Sequence, residues 1–269
     1  MTLQRVGLAH PRVRHLLSLA KNAVSNPHNL FVVDGAWAHE RLLAAGVPVE
    51  MFLWCPESAR SERAHACAAR MRAAAQVSYE ISAKVLARAS TREKPDGLLS
   101  LARLPTWDVT ALEFGESALV LVADGIEYAG NLGTLIRTAD ACRADCLVLA
   151  NRQVRLTHPR VFGASRGTVL TTPVVEFETA AAASSWLDQR GFEVFLADPQ
   201  ASRTYRTCTF RGAPTAVVVG SEGRGPSSVW YEHNATTVAI PMLGVADSLN
   251  VSASAAILMF EARARKAGW

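Results

Sequence analysis

The chain has 269 residues, 49% of them apolar and 19% charged, which suits about two ordinary domains with packed cores. No run of ~20 uninterrupted apolar residues offers a membrane span, and Met1–Val6 lacks the basic, apolar and cleavage regions of a secretion signal. The net charge of +4 divides into +6 over residues 1–105 and −2 over the remainder, so any sequence-independent attraction to phosphates belongs to the N-terminal part.

The first part alternates. Residues 11–24 read as a helix, because Val13, Leu16, Leu17 and Leu19 recur at helical spacing. Strand 30–33 follows, then helix 36–45 closed by Gly46, strand 49–53, helix 61–75, strand 77–81, helix 82–89 and strand 97–102. Pro105–Gly115 reads as a linker. The second part alternates again. Strands are expected at 118–123, 146–150, 173–175, 194–197, 216–219 and 237–240, and helices at 131–142, 159–166, 179–190, 226–232 and 250–266. Such alternation predicts a mostly parallel sheet and an α/β fold. The divisions are a smaller N-terminal α/β domain at 1–104, a linker at 105–115 and a second domain at 116–269.

The five cysteines, Cys55, Cys67, Cys142, Cys146 and Cys208, make an odd count. No histidine or second cysteine pair stands at metal-ligand spacing, so they read as reduced thiols of a cytoplasmic protein, with no metal. Arg5, Arg12, Arg14 and Lys21 cluster near the start and are candidates for phosphate contact. Arg60, Arg63, Arg70 and Arg72 also sit at helical spacing, but Glu57 and Glu62 beside them favour a solvated helix face.

Three strand–loop–helix segments carry the chemistry. The first runs from Asp124 through Asn131 to Arg137, after the apolar run Ala118–Ala123. The second is Gly220-Ser-Glu222-Gly-Arg-Gly-Pro226, after Val217–Val219. The third is Ile240-Pro-Met242-Leu-Gly-Val-Ala-Asp-Ser248-Leu249-Asn250, followed by the small residues Ser252–Ala256. Read alone, the third is a strand–turn–helix in which Ser248 caps the helix. Three such loops in one region point to a single site at the carboxyl ends of parallel strands. No Gly-x-Gly-x-x-Gly follows a first strand, which argues against an ordinary dinucleotide-binding domain.

Together these segments, in this order and spacing, resemble the SpoU/TrmH family of RNA ribose methyltransferases. The resemblance covers roughly residues 115–265. Phe31–Gly35, the helix to Gly46 and Lys94–Gly97 resemble the substrate-binding domain often fused to these enzymes. Some positions depart from the family pattern: Cys142-Arg143, Tyr128-Ala129, Arg166 between Ser165 and Gly167, and Pro226. The last two, with Ala129-Gly-Asn131, look more like the thiostrepton-resistance ribosomal RNA methyltransferases.

The resemblance implies a trefoil-knotted fold of the SPOUT type, S-adenosyl-L-methionine as methyl donor, and ribose 2′-hydroxyls of RNA as acceptors. Ribosomal RNA is favoured over transfer RNA because of the N-terminal domain. It implies a homodimer through the C-terminal domain, with apolar Ile257, Leu258 and Phe260 on the last helix available for it. It assigns Arg137 the catalytic role, with Asn131, Glu222, Ser248 and Asn250 beside it. A guanidinium with pKa above ~12 is a poor proton acceptor, so a charged Arg137 that holds phosphate and stabilises a developing alkoxide is favoured over a deprotonated one. Structural alternatives are pairing of Arg137 with Asp140 or Glu222 and helix capping by Asn131. The donor would be enclosed by Leu196, Gly220, Ile240, Met242 and Leu249, and Arg166 would meet an RNA phosphate. Competing readings are a non-catalytic RNA-binding or ribosome-assembly protein on the same fold, and an antibiotic-resistance enzyme.

Overall fold

The computed structural model describes residues 3–21, 24–232 and 235–268. In chain order the elements are α1 (Pro11–Ala20), β1 (Leu30–Asp34), α2 (Ala36–Ala45), β2 (Val49–Trp54), α3 (Glu62–Ala74), β3 (Ser78–Glu80), α4 (Ala83–Ala89) and β4 (Leu98–Arg103). There follow β5 (Leu119–Asp124), α5 (Ala129–Ala141), β6 (Cys146–Ala150), α6 (Pro159–Ala164), β7 (Val174–Phe177), α7 (Ala180–Asp188) and β8 (Glu193–Ala197). The last are β9 (Thr215–Val219), α8 (Val229–Glu232), β10 (Thr236–Val238) and α9 (Val251–Ala267). The chain divides into two compact units, Met1–Pro105 with Thr157–Pro159, and Thr106–Leu156 with Arg160–Trp269.

In the first unit a four-stranded sheet runs in the order β1-β4-β2-β3. β4 is antiparallel to both β1 and β2, whereas β2 and β3 are parallel. The helices end where the sequence gives the backbone a partner. Ser61 accepts the Ala64 N–H at 3.1 Å to start α3, and Gly46, at φ +64°, closes α2 in the left-handed conformation that glycine tolerates. α1 stops at Ala20 rather than 24, and the expected last turn falls partly on residues 22–23, outside the described residues.

His39 of α2 is fully buried. Its ring Nδ1 lies 2.8 Å from the Gly35 carbonyl and its Nε2 2.8 Å from Ser100 Oγ, an arrangement that suits a neutral imidazole. Burial lowers its pKa to about 4 from 6.5. The unfolded chain therefore takes up a proton below pH ~6.5 that the folded chain refuses until pH ~4. Stability present above that window should fall by about 3 kcal/mol as pH drops through it. Urea unfolding at pH 7 and pH 4.5 measures this, and H39Q should flatten the drop; an equal drop in H39Q would assign it to other groups.

In the second unit all six strands are parallel, in the order β10-β8-β9-β5-β6-β7. β5, β6 and β9 are buried along their whole length, as strands covered on both faces must be, and their sequences are accordingly near-continuous apolar runs. The strand order reverses at β5, which pairs with β6 on one side and β9 on the other. In such sheets ligands usually sit beyond the carboxyl ends of the strands.

Four expectations shift. β10 ends at Val238 instead of 240, because Ala239 leaves β8 and bonds the segment Arg203–Tyr205. α8 begins at Val229, not 226, since the Ser227 N–H is bonded to Asp124. α6 ends before Arg166, which takes a left-handed φ of +55°. The stretch read as a linker is not free: Val109, Leu112 and Phe114 pack against the core of the second unit, with the Phe114 ring 5.6 Å from Trp186 and 5.2 Å from Phe192. Apolar residues that lack helix or strand period carried no sequence signal for this docking.

Near the C-terminus, Arg263 of α9 donates to the carbonyls of Cys142, at 2.9 Å, and Arg143, at 2.5 Å, and Lys266 to those of Glu116 and Ala213. Two cations thus satisfy carbonyls at the end of α5 and in the loops before β5 and β9. All five cysteines are free and buried. Burial pushes the Cys142 thiol up to about 11 and Cys146 to about 12, so both stay protonated.

Candidate active site

A pocket of about 320 Å³ opens at the carboxyl ends of β8, β9 and β10. Gly220, Ile240, Met242 and Leu249 line it, as expected from the sequence, together with Glu222 and Ser248. Leu196 does not. It is fully buried in the sheet core beside Val218, because its position in β8 turns it inward, and Ala197 and Asp198 reach the pocket instead. Val219, Val238 and Val251 complete the apolar lining. Sequence reasoning missed these, although each ends or begins an element next to a recognised segment.

Gly220 is required by its neighbours. A Cβ there would lie 2.0 Å from the Pro226 nitrogen and 2.2 Å from the Gly225 carbonyl carbon. Two backbone segments therefore pass in near contact where the turn returns on itself. The turn is closed internally, by Gly225 N–H donating to the Ser221 carbonyl at 2.9 Å and Arg224 N–H to Ser221 Oγ at 3.2 Å.

Glu222 projects from this turn onto two carboxamides. Asn131 Nδ2 donates to Glu222 Oε1 at 2.9 Å, Asn250 Nδ2 donates to the same oxygen, and Asn250 Nδ2 also approaches Asn131 Oδ1 at 3.3 Å. Ser252 Oγ donates to the Asn131 carbonyl at 3.3 Å, which ties the start of α9 to the start of α5. Residues 91 and 28 positions apart in the chain thus form one polar cluster.

Three local readings change. Asn131 does not cap α5, whose cap position is Tyr128. Ser248 does not cap α9; Asn250 does, its Oδ1 accepting the Ser252 N–H at 3.0 Å, while Ser248 donates to Asp247 at 3.3 Å. Arg137 pairs with neither Asp140 nor Glu222 among the described residues; the Glu222 bonds go to the two asparagines. Exposed on α5, Arg137 has no hydrogen bond or ion pair among the described residues. An exposed guanidinium with no such partner is available to an anion.

The remaining basic candidates are exposed. At about 100° per residue, Arg14 and Lys21 share one side of α1 and Arg12 faces roughly the other way, so the three do not form a single patch. Arg166 stands in a left-handed turn before Gly167. In the same unit as α1, Arg63 is engaged by Glu40, which supports the solvated-face reading of its cluster.

A six-stranded parallel sheet with a pocket at the carboxyl ends of β8, β9 and β10 is the frame of many group-transfer enzymes, and comparison with known proteins narrows the class. Residues 118–260 match the SpoU rRNA Methylase family and residues 10–100 the MRM3-like substrate binding domain. A Synechocystis sp. protein described as an uncharacterized tRNA/rRNA methyltransferase is 28% identical over 94% of this chain and 91% of its own. A solved RNA 2′-O ribose methyltransferase is 33% identical, over 98% of this chain and 100% of its own, with a TM-score of 0.82. The AdoMet-bound rRNA methyltransferase from Sinorhizobium meliloti shares the fold, with a TM-score of 0.85 at 23% identity over 97% of each chain. The chain belongs to the SpoU rRNA methylase family, and is an RNA methyltransferase of the SpoU/TrmH kind.

Proposed function

We propose that the protein transfers a methyl group from S-adenosylmethionine to a ribose 2′-hydroxyl of RNA, with ribosomal RNA as the substrate. The observation that carries this reading is the fastening of Glu222 by Asn131 and Asn250 beside the pocket, which leaves Arg137 unengaged among the described residues.

The pocket suits the donor. Ile240, Met242, Leu249 and Val219 offer apolar walls to a flat ring, and the Asp198 carboxylate and the hydroxyls of Ser221, Ser248 and Ser254 offer polar contacts at its rim. Bound there, S-adenosylmethionine would supply an electrophilic methyl group. Arg137 then holds the phosphate next to the target ribose and stabilises the 2′-oxygen as it takes the methyl group and gives up its proton to water. Ser248 and Asn250 orient the ribose, and Glu222 fixes Asn250 and Asn131 through its shared oxygen. Arg14 and Lys21 supply salt-sensitive affinity for the RNA backbone, with Arg12 and Arg166 touching further phosphates.

Ribosomal RNA is preferred because the first unit matches a substrate-binding domain over residues 10–100. Transfer RNA is the second reading, in keeping with the relative named as an uncharacterized tRNA/rRNA methyltransferase. A homodimer through the second unit is part of the proposal, supported by Leu243 and Val245, which stand fully exposed in the loop beside the pocket, and by Phe260, exposed on α9. So is a cytoplasmic location. No helix among the described residues is long and apolar enough to cross a membrane.

The test is a map of ribose methylation over total RNA from cells with and without the protein. One or a few ribosomal 2′-O-methyl marks should vanish in its absence. Loss confined to transfer RNA would move the substrate to the second reading. An unchanged map, with purified protein that binds the donor but modifies no RNA, would sink the proposal.

A further inference from the structure

Asp124, the last residue of β5, is a carboxylate only 2% exposed. One oxygen accepts Asn151 Nδ2 at 2.7 Å, and the other accepts the Ser227 N–H at 2.7 Å and Trp230 Nε1 at 3.0 Å. Asn151, just past the end of the neighbouring strand β6, also donates to Ser227 Oγ at 3.0 Å and accepts the Ala180 N–H at 3.3 Å. It does this from a left-handed backbone, φ +49°, that most side chains avoid. A buried carboxylate is costly unless it is hydrogen-bonded, and Asp124 is held by three donors, one of them from an asparagine in the left-handed conformation that asparagine tolerates. Their bonds go chiefly to residues 227–230, the exit of the turn that presents Glu222.

Beyond its own internal bonds and the Glu222 contacts, the turn borders two hollows. The pocket of about 320 Å³ lies on one side, and a second hollow of about 680 Å³, lined by Asp124, Asn151, Arg152 and Arg224, lies on the other. Ser221, Gly225 and Pro226 line both. The entry of the turn is fixed by β9, which pairs with β5 and β8. Its exit is fixed by Asp124 and Asn151. Without that anchor the turn has open space to move into, and Glu222 would move with it.

We infer that Asp124 and Asn151 are positioning residues that hold Glu222, and through it Asn131 and Asn250, in place for methyl transfer. The inference rests on the function proposed above. Neither residue touches the pocket cluster directly; both act through the turn.

Two variants test it. D124N removes the charge and replaces one acceptor by a donor. N151G removes the side-chain bonds while glycine accepts the left-handed backbone freely, so the fold has less reason to suffer. At saturating donor and RNA, the single-turnover transfer rate should fall about 10- to 100-fold in D124N and about tenfold in N151G, with RNA affinity within about twofold. In an E222Q background, adding D124N should slow the reaction by less than about threefold more, because both changes act on the same carboxylate. The indole N–H resonance of Trp230 should shift in D124N and stay in place in E222Q.

A folded D124N or N151G with a rate within about twofold of the unmodified protein overturns the inference, as do D124N and E222Q losses that multiply. Unmodified protein that binds S-adenosylmethionine yet methylates no RNA overturns the proposed function instead. The anchor is then judged on donor affinity, which should weaken about fivefold in both variants because the turn walls the pocket. Unchanged affinity in both rejects it.

Discussion

Replacing Arg137 with alanine is expected to slow methyl transfer about 100- to 1,000-fold while RNA and donor affinities stay within about threefold. The reason is that its charge is unengaged. Arg137 is exposed and without a hydrogen-bond or ion-pair partner among the described residues, so alanine removes no structural bond there. The loss should fall on the step in which the 2′-oxygen gains negative charge, and therefore on kcat more than on KM. R137K keeps the charge but not the planar fork that grips a phosphate through two bonds, and should recover only part of the rate. Single-turnover transfer of labelled methyl to RNA measures both variants. A rate within about threefold of normal in R137A would remove the arginine from the mechanism. Unchanged RNA affinity alongside lost transfer would also reject a purely RNA-binding role for the protein.

Gly220→Ala should be the most damaging single methyl group in the second unit. Its Cβ would meet backbone at 2.0, 2.2 and 2.5 Å, on Pro226 and Gly225, and backbone cannot swing aside as a flexible side chain can. The turn would have to open, at a cost of about 3 kcal/mol or more, and the pocket wall would move with it. Donor binding should weaken by at least about 100-fold at a temperature where the protein stays folded. Gly223→Ala, three residues on in the same turn, is the control: a Cβ there would meet nothing within 4 Å, and its effect on stability should stay within about 0.5 kcal/mol. Thermal melts and donor titration on both proteins decide it. Equal behaviour of the two alanines would show that the close passage at Gly220 is not needed.

Much of the fold was readable along the chain. β5, β6 and β9 are buried on both faces, so their sequences had to be apolar without alternation, and Gly46 marks the end of α2 because few other residues accept that conformation. Part of the polar cluster was readable too: Asn131 near the start of α5, Glu222 in its turn and Asn250 at the cap of α9 each follow a strong apolar run, at spacings that resemble a known family. Less visible was what each residue bonds. Glu222 could have met Arg137, or Asp124 could have been surface-exposed, and nothing in local sequence distinguishes these outcomes.

The sequence by itself determined the alternation of strands and helices, the parallel sheet and the three loops that make the site, because these follow from short-range periodicity and from residues whose conformational limits are their own. Only the tertiary structure decided that Leu196 turns into the core, that Asn250 rather than Ser248 caps α9, and that Glu222 holds two asparagines and leaves Arg137 unengaged. It alone brought Asp124, Asn151 and Ser227 together across 103 positions of chain. The physical reason is the same in each case. A hydrogen bond or a buried contact is chosen by which groups strand order places within about 3 Å of each other, and that distance is not a property of any one segment.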